Sequence, residues 1–279
     1  MIIDLRIFRS IFRKGPEGLI ISDCVGILNK LRDLKSRYFK SKSEEEKSEV
    51  EKKQRELVEE MKKNLNEILK HVERTRNERD KNELMGLWGS FIDQLAINLP
   101  LPDLLNGKSV DLQQKALSIL IPYLNEHSEV KEVARAIFMI YHHGAGVDKN
   151  LAREIYQVLL MKENPSRELA LQYLESENQA RQFLEKYVAL TIGLEKFSLD
   201  EDYEKLLSKR ARKGDEIFRC LLDVANWYKR VAFFQEIAGF TKEAEINNGR
   251  ANELYQRLMD IDPSLREALE AFYKEQQFL

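Results

Sequence analysis

Residues 41–80 read SKSEEEKSEVEKKQRELVEEMKKNLNEILKHVERTRNERD, and this stretch decides the fold class. Twenty-three of its side chains are charged, 11 basic and 12 acidic, and none is Pro or Gly. Val50, Leu57, Met61, Leu65, Ile68, Leu69 and Val72 recur at spacings of three and four. That is the period of one apolar stripe on an α-helix. Ser43-Glu44-Glu45-Glu46 has the form of a capping box at its start. Glu–Lys pairs four apart, Glu49–Lys53 and Glu59–Lys63, support the exposed face. The pattern predicts one helix of ~38 residues, ~57 Å long at 1.5 Å per residue. One narrow stripe needs one neighbour, and residues from about Ile20 to Phe39 predict a helix that supplies it. The expectation is a coiled-coil-like antiparallel hairpin. A coiled-coil arm for partner contact, or for a homodimer through the 43–80 helix, is the alternative use of the same stripe.

Outward from that stretch the composition agrees. The chain has 279 residues, of which 43% are hydrophobic, enough for a packed core. Gly and Pro number only 12 and 6, few for the turns of a sandwich or barrel. Two distant cysteines, Cys24 and Cys220, make neither a disulfide framework nor a four-cysteine zinc site. No apolar run approaches the ~20 residues that span a bilayer. Together these predict an all-α protein of a reducing, cytoplasmic compartment. The net charge of −2 hides a polarity: residues 1–40 carry nine basic and four acidic side chains (+5), whereas residues 165–279 carry 17 and 21 (−4).

The first fourteen residues form a basic amphipathic pattern, with Ile3, Ile7 and Ile11 aligned beside Phe8 and Phe12, and Arg6, Arg9 and Arg13 elsewhere. Such a segment packs as a first helix on the protein's own core, lies on a membrane surface, or docks on a partner. Gly15-Pro16-Glu17-Gly18 ends it. After the long helix, Asn82 to Asn98 predicts another, ended by Pro100 and Pro102, and the Leu-Pro-Leu-Pro stretch is the expected domain boundary. Domains are therefore expected at 1–99 and 108–279. Shorter helices follow over 111–123, 128–142 with Ser128 as N-cap, and from Asp148 to near Met161. Further helices are expected from Pro165 as first helical residue, over 179–193, after a capping box at Ser198-Leu199-Asp200-Glu201, and over 215–238 and 241–259. Asp262-Pro263 opens the last.

Helix pairs of 30–40 residues in series are the signature of a helical repeat array. Tyr141-His142-His143-Gly144-Ala145-Gly146-Val147, followed by Ala152 and Tyr156, resembles the inter-helix turn of Sel-one-like repeats, a variant of the tetratricopeptide repeat. The Val-to-Ala spacing is two residues shorter than in that family, and Phe138 stands where a glycine is usual. Ala251, Tyr255, Leu258 and Pro263 resemble the second helix of a tetratricopeptide repeat, with Leu258 in place of a small residue, and Ala238-Gly239 matches the first helix loosely. The resemblance covers about 60 residues. It implies an α-solenoid of paired antiparallel helices after the hairpin, and a scaffold or adaptor that holds a protein partner in a groove.

Catalytic signatures are absent from the sequence: there is no G-x-x-x-x-G-K-[ST], H-E-x-x-H or G-x-S-x-G. Gly144-Ala145-Gly146 lacks the third glycine of a dinucleotide fingerprint. His142 and His143, with His127 or Asp148, fall short of a convincing zinc set. No catalytic residue, metal or cofactor is therefore expected. The partner-binding candidates are Arg135, Tyr141, His142, Trp227 and Tyr228. A basic cluster, Lys209, Arg210, Arg212 and Lys213 with Arg219 beyond, offers phosphate contacts. With the patch at 6–14 it supports the alternative, a nucleic-acid-associated accessory factor. An enzyme built on helical layers is the third reading.

Overall fold

The computed structural model describes residues 16–144, Glu154 and 165–266. The amphipathic segment 1–14, the Gly146-Val147 half of the repeat-like turn with Ala152 and Tyr156, the helix expected from Asp148, and the last helix beyond Arg266 lie outside the described residues. The described residues form ten helices and no strand. They are α1 (Pro16–Lys40), α2 (Glu44–Arg74), α3 (Glu78–Ile97), α4 (Leu101–Leu105) and α5 (Lys108–Glu126). After these come α6 (Lys131–His142), α7 (Arg167–Ile192), α8 (Tyr203–Leu207), α9 (Glu216–Ala238) and α10 (Thr241–Ile261). None is long and apolar enough to cross a membrane. Contacts divide the chain into two compact units, Met1–His143 and Gly144–Leu279.

In the first unit α2 opens as expected, with Ser43 Oγ accepting from Glu46 N at 3.2 Å. It closes earlier than expected. Thr75 Oγ1 donates to His71 O at 2.7 Å, and Asn77 Oδ1 accepts from Arg79 N and Asp80 N, so it caps α3. Helix continuation cannot compete with two side chains that satisfy the backbone locally. The buried line is Val50, Gln54, Val58, Met61, Leu65, Ile68 and Val72, with Leu57 and Leu69 half-buried beside it. Glu49 pairs with Lys53 as predicted, but Glu59 takes Lys62 at 2.7 Å rather than Lys63. Glu17 lies 3.4 Å from His71, Asn64 hydrogen-bonds Cys24, and Tyr38 meets Lys47 and Glu51, so α1 and α2 run antiparallel. α3 covers α2 as well, which places the apolar stripe inside the unit.

α3 is the centre of this unit, packing on α2, α5 and α6. Its approach to α6 depends on two glycines that allow close contact. A Cβ built on Gly86 would lie 2.4 Å from Glu132 Cβ and 2.8 Å from Glu132 backbone C, and one on Gly89 would meet Ala136 Cβ at 2.8 Å. The proline stretch is no boundary: it folds as α4, turns through Gly107 (φ 73°) and packs on α5, which returns to α3. The division of the chain falls instead at His143. α6 begins at Lys131 after an uncapped Val130, so Ser128 is not its N-cap.

A polar chain crosses this core. Arg32 donates to Gln94 Oε1 at 2.7 Å, Gln94 Nε2 to Asp93 Oδ2 at 3.2 Å, and His143 Nδ1 sits 2.8 and 2.9 Å from the two Asp93 oxygens. Asp93 is buried, and the pair ties α3 to the C-cap of α6. Lys35 Nζ donates to Ile97 O at 2.8 Å, at the end of α3.

In the second unit Ser166, not Pro165, starts α7: its Oγ accepts from Leu169 N. The helix runs unbroken to Gly193 (φ 74°) and replaces two predicted helices. Ser198–Glu201 is not a capping box, because Asp202 Oδ2 accepts from Ser198 N and Asp202 precedes α8. Asp215 caps α9, Gly239 (φ 90°) ends it, and α10 folds back against it, burying Ala251, Leu254, Tyr255 and Leu258. α9 packs on both α7 and α10.

Two predictions follow from this packing. Gly86→Ala should lower the urea midpoint of the first unit, with about 1–3 kcal/mol of overpacking outweighing the gain in helix propensity. Gly249→Ala, where nothing lies within 4 Å, should stabilise α10 by about 0.5–1 kcal/mol. Burial pushes the Lys35 ammonium down to about 8. An unfolded lysine titrates near ~10.4, so between those values the unfolded chain holds a proton that the folded chain has released, and stability from this group rises with pH. Burial of the Cys24 thiol, first, and Asp23 beside it push that group up to about 12, which acts in the opposite sense. The Lys35 contribution is therefore read as a difference: the wild-type urea midpoint should rise relative to Lys35→Met between pH 8 and 10.

Candidate functional site

The second unit carries a cleft of about 650 Å³ on one side of α9. Its floor is Trp227, Tyr228, Val231 and Gln235 of α9. One wall is the face of α7 from Leu171 through Glu175 and Asn178 to Arg181, the other the face of α10 from Glu243 through Ile246 and Asn247 to Arg250, preceded by Phe240. Each wall has the three-and-four spacing of one helix face. Tyr173 stacks on Phe234 at 4.3 Å and Trp227 Nε1 donates to Glu177 O at 3.3 Å, so α7 runs antiparallel to α9. Asn247 Nδ2 donates to Gln235 Oε1 at 2.8 Å and Arg250 Nη1 to Tyr228 Oη at 3.2 Å, so α10 does too. The walls are therefore parallel to each other, and the cleft has two unlike ends.

One end is polar and closed. Arg181 Nη2 donates to Asp200 Oδ2 at 2.7 Å and Arg250 Nη1 to Asp200 Oδ1 at 3.3 Å, so one carboxylate bridges the walls. The Arg181 guanidinium, first, and then Arg250 hold that carboxyl below its usual range. Arg181 Nε also donates to Glu185, whose same oxygen accepts from Leu199 N. Tyr228 Oη donates to Leu199 O at 2.8 Å, and burial pushes its phenol up to about 12, so it stays a donor. The other end is apolar and open: Leu171, Phe240 and Ile246 are 40%, 41% and 59% exposed.

Of the partner-binding residues expected from sequence, Arg135, Tyr141 and His142 belong to the first unit and Trp227 and Tyr228 to the second. Arg135 and Tyr141 are half-buried on α6. His142 is buried, stacked on Phe138 at 5.3 Å. Trp227 and Tyr228 are 4% and 1% exposed, so they support the cleft floor rather than present a binding face. The basic cluster lies in the loop between α8 and α9, and half of it is used internally. Lys209 Nζ donates to Ile192 O at the end of α7, Arg257 to Lys209 O, and Lys213 pairs with Asp262 at 2.8 Å. Arg210 and Arg212 are exposed. Among the described residues no three His, Cys, Asp or Glu side chains form a group able to hold a metal ion.

The sequence reading missed Leu171, Ile246, Arg181, Asp200 and Arg250. One signal was present: Ile246 falls off the stripe of Ala244, Ala251, Leu254, Tyr255 and Leu258 that α10 buries. The roles divide testably. Tyr228→Phe, losing the bond to Leu199, should cost the second unit about 1–2 kcal/mol in urea unfolding. Ile246→Ser, at an exposed site, should change it by less than about 0.5 kcal/mol.

No protein-family model, no curated protein and no solved structure matches this chain.

Proposed function

We propose that the protein is a non-catalytic scaffold or adaptor, and that its second unit docks a protein partner in the cleft between α7 and α10. The observation that carries the reading is where the exposed apolar residues lie. Six large hydrophobic side chains are exposed among the described residues: Leu19, Phe39, Leu171, Phe233, Phe240 and Ile246. Three of the six line one cleft. Single exposed apolar residues are ordinary, but their convergence on a concave surface marks an interaction site. The α9–α10 pair supports the resemblance to a tetratricopeptide repeat only at Ala251 and Tyr255, buried against α9, and at Pro263 just past the end, whereas Gly239 ends α9 in a left-handed turn instead of lying inside the repeat's first helix. On this reading the second unit belongs to an α-solenoid of paired antiparallel helices, and α1 and α2 are the long hairpin that precedes it.

The nucleic-acid reading keeps less support. Two of the four clustered cations, Lys209 and Lys213, already serve a helix end and an ion pair.

The test is partner recovery by the full chain. Native lysate proteins that copurify at fixed stoichiometry should be lost by at least about tenfold with Ile246→Glu, which places a charge at the apolar end. They should be retained with Arg210→Glu/Arg212→Glu. Unchanged recovery with Ile246→Glu, or loss with the arginine pair alone, would overturn the docking assignment.

A further inference from the structure

The groove geometry points to one kind of occupant: we propose an amphipathic α-helix of about three turns whose apolar stripe is flanked by Lys or Arg. This rests on the docking reading above and names its partner class.

Length comes first. The α7 wall runs from Leu171 to Arg181 and the α10 wall from Phe240 to Arg250. Each is ~15 Å at 1.5 Å per residue, or about three turns. The Arg181–Asp200–Arg250 bridge stops the groove at one end, so an occupant enters over Leu171 and Ile246.

Conformation follows from what the walls offer. An extended peptide needs backbone partners, which a sheet edge supplies in strand addition. Here both walls are helix faces, whose backbone groups are spent within their own helices. A helical occupant satisfies its own backbone and presents only side chains. Two parallel walls over a third helix also leave the space that a fourth helix fills in a bundle.

Charge selects among amphipathic helices. Both groove arginines are committed, Arg181 to Glu185 and Asp200 and Arg250 to Asp200. Glu175, four residues beyond Leu171, and Glu243, three before Ile246, are exposed on opposite walls and enter no ion pair among the described residues. The apolar end is therefore bordered by two carboxylates that have no ion-pair partner among the described residues. A cationic flank meets both, and an anionic one is repelled by both.

The experiment uses the full-length chain and fluorescence polarisation of labelled, end-capped 14-residue peptides. The first has leucines at i, i+3, i+4 and i+7 with flanking lysines; the second has glutamates for the lysines; the third has a central proline. Since Ile246, Glu175 and Glu243 are all exposed, their variants should fold, and circular dichroism and the urea midpoint check this. The lysine peptide should bind wild type and lose at least about tenfold with Ile246→Glu. It should lose a similar factor with Glu175→Lys/Glu243→Lys, which should then take the glutamate peptide instead. Equal binding of the proline peptide, or no exchange of preference on charge reversal, would overturn the proposal. So would self-association of the wild-type chain, abolished by Ile246→Glu, with no peptide binding, since a second copy would then be the occupant. If the lysate partner is still lost with Ile246→Glu while the lysine peptide fails, the helix falls and the docking reading stands. If neither responds, both fall.

Discussion

Trp227 and Tyr228 fix the second unit. They are consecutive on α9, so their side chains leave the helix about 100° apart and reach different neighbours. Trp227 donates to Glu177 O on α7, whereas Tyr228 donates to Leu199 O and accepts from Arg250 of α10. Both rings are buried, at 4% and 1% exposure. Two large side chains at the centre of one helix thereby hold two neighbours in place and also keep them apart. The loop carrying Asp200 is drawn over the end of the resulting gap, because the Leu199 carbonyl needs the Tyr228 hydroxyl and the Leu199 amide needs Glu185.

The first unit shows the opposite solution. Where α9 presents aromatics, α3 presents Gly86 and Gly89 to α6, and the helices approach until no Cβ fits. Helices in such contact leave no room between them, and the unit spends its interior on apolar packing and on the Arg32–Gln94–Asp93–His143 chain. A buried carboxylate of this kind costs desolvation and must be paired. His143 supplies the pairing from the C-cap of α6, while Phe138 stacks on the neighbouring His142. Packing distance is set by glycine where α3 meets α6 and by aromatics where α9 meets α7 and α10.

The parts of the fold legible in the sequence were those set by local physics. The stripe from Val50 to Val72, the Ser43 cap and the two helices expected over 215–238 and 241–259 needed only period and local chemistry. Ends decided by competing side chains were missed: Asn77 took over at the start of α3, and Ser166 displaced Pro165. The proline stretch misled because a short helix tolerates Pro at its start, and α4 uses it that way. Of the site, Trp227 and Tyr228 were found by residue type, and both line the cleft as buried residues of its floor. The bridge of Arg181, Asp200 and Arg250 joins residues up to 69 positions apart in the sequence, which no local pattern encodes. Lys209 and Lys213 looked like a patch because sequence adjacency does not show that Ile192 O and Asp262 lie beside them.

The charge polarity of the chain takes on a local meaning at the cleft. Residues 165–279 carry a net −4, but the excess is unevenly used. Asp200 and Glu185 are consumed by arginines. Exposed pairs of this sort contribute little to stability individually. Their effect is to neutralise the closed end of the groove, where the cations are. Glu175 and Glu243, which enter no ion pair among the described residues, border the apolar end. Apolar contact and these two carboxylates therefore coincide in space. Burial there supplies affinity and the two carboxylates set orientation, since a partner's cations can sit beside Leu171 and Ile246 but gain nothing at the end already filled by Arg181 and Arg250.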